Sequence, residues 1–266
     1  ILGFTNAITA LLAGQALDSM PFPTNYQVVF IALSVGGLIS YYFSSHLELP
    51  DMLHKPSAET HSVREQLRDY IQMILREKPF VSFILKRFVF LTGTVLIAPL
   101  LPIYYVRQLH ASDSSIAFIN IAANVTVILG YFFWTYQSRS RGSRTVLLAT
   151  TFGVSLFPIM VGLTTQVWPV PIYAGIFGIF QAGLNLVLFD ELMRRVPIEY
   201  SAAFIAAAQS VQYMSSIFAP LIGTTLADLV GLNLALILGG LVSLAGFGLF
   251  MAERYHPETK TAANSV

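Results

Sequence analysis

Long apolar runs are the feature that most limits what this chain can fold into. Each run has about the 20 residues that a helix needs to cross the hydrocarbon core of a bilayer. None shows the strict alternation of polar and apolar residues that a membrane β-strand requires. Charged residues make up 11% of the chain, less than half of the roughly 25% in an average soluble domain. The sequence therefore predicts an all-α, polytopic membrane protein.

We count eight predicted spans, joined by junctions rich in Pro, Asn, Ser and charged residues. They cover residues 1–18, 26–46, 80–108, 113–137, 144–166, 169–192, 200–226 and 231–252. The chain begins inside an apolar run, without Met and without the basic segment that opens a signal peptide. We therefore expect this sequence to be part of a longer protein, and its fold to be a bundle of about eight transmembrane helices.

The positions of Lys and Arg predict the orientation of the spans. Of the 15 such residues, 12 fall in the second, fourth and sixth junctions and in the tail, whereas the other junctions hold only Arg107. Positively charged loops are retained on the cytoplasmic side of a membrane. We therefore expect a protein of the cell membrane whose C-terminus is cytoplasmic.

The second junction, residues 47–79, is the only long one. Within it, residues 62–78 start with Ser62 and Glu65, which form a capping box pattern, and apolar residues then recur at helical spacing. The pattern predicts an amphipathic helix lying near the membrane surface. A linker helix packed against the ends of other helices explains the pattern equally well.

The fourth junction follows an aromatic run, in the stretch 131-YFFWTYQSRSRGSRTVLL-148. Its three cations, Arg139, Arg141 and Arg144, have no acidic residue among them. The aromatic side chains suit the interfacial belt at the end of a span, and the cations suit cytoplasmic water. This stretch is therefore predicted to be a cytoplasmic loop.

Two spans, a long basic linker and six more spans resemble the last eight of the twelve helices of major facilitator superfamily transporters. The stretches 98-APLLPIYYVRQLHASDSSIA-117 and 217-IFAPLIGTTLAD-228 carry the resemblance, together with the Arg-Gly-Ser-Arg loop. The resemblance implies two six-helix halves around a central cavity. It implies transport of a small solute by alternating access, with a non-transporting receptor or scaffold of the same fold as the alternative.

The resemblance also implies a division of the chain. Residues 1–46 would be the last two helices of the first half, 47–79 the cytoplasmic linker, 80–252 the second half and 253–266 a cytoplasmic tail. The fourth junction is similar to the family pattern Gly-x-x-x-Asp-Arg-x-Gly-Arg-Arg. Gly142 and Arg144 match it, but Arg139 stands where Asp is expected. In the family that Asp caps a helix and helps to lock the outward-open form, a role that Arg139 cannot take.

Three spans carry pairs of polar side chains four residues apart, which places each pair on one helix face. Polar groups are costly in hydrocarbon unless they are paired or line a wet cavity. These pairs are the candidates for the substrate cavity: Asn120 with Asn124, Gln181 with Asn185, and Gln209 with Tyr213. Hydrogen bonding between helices explains them equally well. If they line a cavity, their neutral donors and acceptors suit a neutral or weakly polar solute.

Lys86 and Arg87 lie some way inside the third span. Either their head groups reach back to the interface, or they contact an anion or a gate at the inner mouth of the cavity. Asp190 and Glu191 end the sixth span and are predicted to pair with cations on neighbouring helix ends.

Prolines and glycines mark two further features. Pro99 and Pro102 predict a break in the third span. Gly175, Gly178 and Gly183 predict close packing of one side of the sixth span.

Other function classes find little support. The sequence has no cysteine, and we find no metal-binding or catalytic motif, so we expect no enzyme, metal or cofactor. A net charge of +1 argues against a nucleic-acid partner. The expected partners are the lipid bilayer and a small molecule, with a coupling ion left open. No Asp, Glu or His lies near the middle of a span, so if the protein couples to protons the carboxylate is expected outside this sequence, and facilitation without coupling stays open.

Overall fold

The computed structural model describes residues 16, 20–21, 23–46, 63–197 and 200–252 of the 266-residue chain. By contacts the chain divides into two compact units, residues 1–59 and 60–266. Apart from Ala16, the first predicted span and the tail lie outside the described residues.

All regular structure in the described residues is helical. In the first unit, α1 is Thr24–Ser45. The helices of the second unit are α2 (Val63–Arg76), α3 (Lys78–Ile97), α4 (Leu100–Arg107), α5 (Asp113–Arg141), α6 (Ser143–Leu163), α7 (Val170–Met193), α8 (Ser201–Val230) and α9 (Leu232–Ala252). Seven described stretches are long and apolar enough to cross a bilayer: α1, α3 with α4, and each of α5 to α9. These are the second to eighth predicted spans, so the all-helical, polytopic membrane fold is confirmed.

The six spans of the second unit pack through their main contacts in the order α5–α7–α6–α9–α3–α8. The middle helices α6 and α9 bury even polar residues completely, as Thr150, Ser155 and Ser243 show. Their hydroxyl groups donate hydrogen bonds to backbone carbonyl oxygens, so burying them does not leave a polar group without a partner. The outer helices α5 and α8 are the least buried of the six and rest mainly on α7 and α3.

The core has one cluster at each end of the bundle. We call the end where α3 begins and α5 meets α6 the basic end, because the charged junctions lie there. The cluster at the basic end contains Phe80, Phe83, Trp134, Phe204 and Phe250. The cluster at the opposite end contains Leu100, Tyr104, Phe157, Val161, Val170 and Leu236. Apolar packing of this kind holds all six spans of the unit together.

The third predicted span is two helices. α3 ends at Ile97, and α4 begins at Leu100 directly after Pro99. Proline has no N–H to continue the helical ladder, which explains the break predicted at this residue. Pro102 lies within the first turn of α4, where proline is tolerated.

Single glycines join α5 to α6 and α8 to α9. Gly142 has φ of 85° and ψ of 155°, and Gly231 has φ of 88° and ψ of 155°. Residues with a Cβ rarely adopt this conformation, so both turns depend on glycine. In each turn the glycine N–H donates to the carbonyl oxygen four residues earlier, Ser138 or Ala227.

Two of the three glycines named in the sixth span allow close packing. A Cβ on Gly178 would collide with the carbonyl oxygen of Ala123 on α5. A Cβ on Gly183 would collide with the Trp134 ring, whereas Gly175 has only an ordinary contact nearby. The prediction is therefore confirmed for Gly178 and Gly183.

The amphipathic helix predicted at 62–78 is α2. Met73 and Ile74 are half-buried and pack against the apolar cluster at the basic end. This contact supports a linker helix packed on other helices at this end of α2. The capping pair, Ser62 and the Glu65 side chain, falls outside what the structure describes.

Candidate functional site

The α5 pair faces out of the six-helix bundle. Asn120 and Asn124 are both exposed, and the Asn124 Nδ2 donates to the Asn120 carbonyl oxygen at 2.8 Å. This bond lies within one helix, so it does not tie α5 to a neighbour. The side-chain oxygen of Asn124 keeps its capacity to accept from another group.

The α7 pair connects to α5 through a tyrosine. The Gln181 Nε2 donates to the Asn185 Oδ1 at 2.8 Å, and the Asn185 Nδ2 donates to the Tyr131 hydroxyl at 3.4 Å. Sequence reasoning missed Tyr131 because it belongs to the aromatic run. Its position seven residues after Asn124 places it on the same face of α5, which was the available signal. The structure thus places polar groups from α5 and α7 together on one exposed surface.

The third pair lies on α8, which packs mainly on α3. Gln209 and Tyr213 are exposed, with 63% of Tyr213 accessible. In the described part of the chain, no hydrogen bond joins this pair to the α5 and α7 pairs.

Arg87 takes part in a contact that sequence reasoning missed. Its Nη2 donates to the Gln212 Oε1 on α8 at 2.6 Å. Spacing alone had paired Gln209 with Tyr213, yet Gln212 is the α8 residue that contacts Arg87. Arg87 therefore contacts a neighbouring helix. Lys86, the adjacent cation, is half-buried.

A second polar contact joins the same two helices. The hydroxyl groups of Thr92 and Ser215 lie 2.9 Å apart. Together with the Arg87–Gln212 bond, it places hydrogen-bonding groups along the α3–α8 interface. Such pairs satisfy polar groups that would otherwise meet hydrocarbon.

The loop motif lies at the basic end. Arg139 is exposed in the last turn of α5, Gly142 forms the turn, and Arg144 is half-buried at the start of α6. A cation in the last turn of a helix is favoured by the helix dipole, whereas an Asp at position 139 would be disfavoured there.

Two carboxylates near the end of α7 form ion pairs with arginines that directly follow the same helix. The Asp190 Oδ2 lies 3.2 Å from the Arg194 Nε, and Glu191 pairs with Arg195. The Arg195 guanidinium also lies over the Phe83 ring of α3, 4.6 Å from its centroid. The prediction that these acids pair with cations on neighbouring helix ends is therefore wrong for both pairs. Within the described ranges, no three His, Asp or Glu residues are grouped closely enough to hold a metal ion.

Comparisons with known proteins agree with this arrangement. A family model described as Major Facilitator Superfamily matches residues 83–265. The Multidrug resistance protein MdtG of Proteus mirabilis (strain HI4320) is 26% identical over 190 residues, covering 66% of this chain and 46% of that protein. A protein of the same name from Citrobacter koseri is 25% identical over 184 residues, covering 64% and 44%. The chain spans about half the length of the curated relatives it matches.

The family model begins within α3 and runs past the end of α9. It therefore covers nearly all of the six spans that pack together in the second unit. On this match the chain belongs to the major facilitator superfamily.

Proposed function

We propose that the chain is part of a secondary carrier that moves a small solute across the cell membrane by alternating access. The observation that carries this proposal is the exposure of polar side chains within the spans. Asn124, Asn185 and Gln209 lie outside the packed interior of the six-helix unit. Amide groups facing hydrocarbon are costly, so these faces suit a water-filled cavity.

The lining chemistry suggests the kind of solute. Uncharged amides and a phenol offer donors and acceptors without fixing a charge. The exposed tyrosines, Tyr131 and Tyr213, add aromatic surface to these faces. Since two relatives are named multidrug resistance proteins, we propose drug-like amphipathic molecules as the substrates.

Cysteine accessibility in the full-length protein tests the proposal. This chain has no cysteine, so single cysteines report alone once any others in the protein are replaced. We expect Asn124→Cys, Asn185→Cys and Tyr213→Cys to react with a membrane-impermeant thiol reagent. Alternating access requires reaction from both sides, in intact cells and in inside-out vesicles.

Two control positions distinguish a side chain that faces water from one that faces lipid and from one that is buried in protein. Leu129 is 61% exposed and lies five residues from Asn124, about 140° around the same helix. Leu129→Cys should stay unreactive because it faces lipid. Ala182 is 0% exposed, so Ala182→Cys should also stay unreactive. If none of the three test positions reacts, the proposed cavity is contradicted. If they react from one side of the membrane alone, the result favours a non-transporting receptor or scaffold.

A further inference from the structure

The apolar stripe of α2 is wider than its contact with the bundle. Met73 and Ile74 pack against the apolar cluster at the basic end. Ile71 and Leu75 lie four residues apart, so they share one face of the helix, and they are 49% and 61% exposed. We call these two residues the outer edge of α2. Removing apolar surface from water is favourable, so the outer edge is suited to a second apolar environment beside the bundle.

α2 lies at the boundary between lipid and water. It ends at Arg76, and α3, the first helix of a membrane-spanning stretch, begins at Lys78. Glu77 between them has ψ of 76°, far from the roughly −42° of an α-helix, so the chain changes direction there. The contact of Met73 and Ile74 with the core cluster shows that α2 folds back onto the end of the bundle. The outer edge is therefore held at the depth where the head groups of the bilayer surround the bundle.

Cations accompany the outer edge. Arg68 lies three and seven residues before its two members, which places the three side chains on one face of α2. Arg68 is exposed, and Arg76 and Lys78 are exposed cations at the joint between α2 and α3. Glu77 is the one acid in this segment whose side chain the structure describes. An apolar edge next to cations is the pattern of helices that bind anionic lipid surfaces.

The size of the outer edge favours lipid over a separate protein partner. A stable protein–protein interface covers roughly 800 Å² on each partner. Two aliphatic side chains supply only a small part of such an area. Insertion into lipid, by contrast, is stabilised by each apolar group that leaves water, so it has no minimum area.

We infer that the outer edge of α2 inserts into the leaflet at the basic end, with Arg68 in contact with the phosphate groups of anionic phospholipids. α2 then contacts the core of the bundle with Met73 and Ile74, and the lipid with Ile71 and Leu75. This arrangement fixes the depth at which α3 enters the bilayer. It does not depend on transport, so it is tested separately from the proposed carrier function.

Fluorescence quenching locates the outer edge. The full-length protein, with any cysteines of its own replaced, carries Ile71→Cys, Gln72→Cys or Leu75→Cys labelled with bimane and is reconstituted into vesicles. Gln72 is the matched control, because it is exposed and lies about 100° around the helix from Ile71. We expect lipids with a nitroxide on the upper acyl chain to quench the probe at 71 and 75 at least twice as strongly as at 72. Iodide on both sides of the vesicles should show the opposite order.

Two outcomes overturn the insertion. Stronger quenching by iodide at 71 and 75 than at 72 would place the outer edge in water. Protection of both positions from both quenchers would mean that another part of the protein covers the outer edge.

The lipid composition tests the choice of head group. Nitroxide quenching at position 71 should be stronger in vesicles of phosphatidylglycerol, which is anionic, than in vesicles of phosphatidylcholine, which is zwitterionic. Arg68→Gln should remove at least half of this difference, while the same change at Arg107, an exposed residue at the end of α4, should leave it unchanged. No difference between the two lipids, or an unchanged difference in Arg68→Gln, overturns the assignment to anionic phospholipids.

Discussion

Two neighbouring carboxylates at the end of α7 show how burial changes what a single residue contributes. Asp190 and Glu191 pair with arginines at the same spacing on the same helix. The side chains of the first pair are 43% and 62% exposed, whereas those of the second are 9% and 21% exposed. Water screens the first pair, so its net contribution is small. The second pair lies against Phe83 and carries a desolvated charge.

Neutralising each acid should therefore give unequal results. Asp190→Asn should lower the free energy of unfolding by about 0–1 kcal/mol, as for other exposed pairs. Glu191→Gln should lower it by about 1.5–3 kcal/mol, because a charge-assisted hydrogen bond that is largely shielded from water is lost. Thermal unfolding of the purified protein in detergent measures both. If both variants lose the same free energy of unfolding, burial does not determine how much each ion pair contributes to stability.

The polar residues show which side chains sequence alone can assign. Spacing of four residues correctly places Gln181 beside Asn185, since both lie on α7. The Arg87–Gln212 contact joins residues 125 positions apart. No helical period relates them, and only the packing of α8 on α3 brings them together. Sequence therefore indicates helix faces, but it does not show which faces meet.

At the scale of helices, the one-residue turns at Gly142 and Gly231 set where α5 and α8 end. Among the described residues, and apart from the chain neighbours, no heavy atom lies within 4 Å of a Cβ built on either glycine, so the described neighbours leave space at these positions. Their positive φ restricts them instead, because a residue with a side chain strains the backbone in this conformation. Gly248 offers a matched case inside α9, with open space and no positive φ.

Alanine at these positions should act in opposite directions. Gly142→Ala should lower the free energy of unfolding by about 1–3 kcal/mol, from backbone strain alone. Gly248→Ala should be neutral or stabilise by up to about 1 kcal/mol, because alanine favours a helix interior. Thermal unfolding midpoints compare the two variants under one condition. A Gly142→Ala protein as stable as the wild type would contradict the strain argument.

Helix lengths were predictable to within a few residues because the bilayer imposes them. The sixth predicted span, 169–192, is observed as Val170–Met193. The third predicted span, 80–108, is observed as two helices, because Pro99 divides it into α3 and α4. Proline marks the position of a break, whereas the neighbours of each helix depend on the full tertiary packing.

At the scale of the whole molecule, the distribution of Lys and Arg predicts that the basic end is cytoplasmic. Gly142 and the charged end of α7 lie at that end, and Gly231 lies at the other, because α8 crosses in between. The proposed orientation therefore fixes the side on which each junction lies.

A peptide tag placed after Val266 tests this orientation. An antibody should detect it only after the cells are made permeable, because the tail is proposed to be cytoplasmic. A tag inserted after Gln166, in the exposed junction between α6 and α7, is the matched control and should be detected on intact cells. Detection of the tail in intact cells would reverse the orientation of every span.

The one-residue turns also bear on how the protein is made. We expect α5 and α6 to enter the membrane together as a hairpin, and likewise α8 and α9, because a single glycine joins each pair. Yet the main contact of α5 is with α7, and that of α8 is with α3. We therefore expect α8 to be synthesised after α3, the helix on which it packs. By contrast, the surface of α5 that packs on α7 should stay exposed to lipid until α7 has been synthesised.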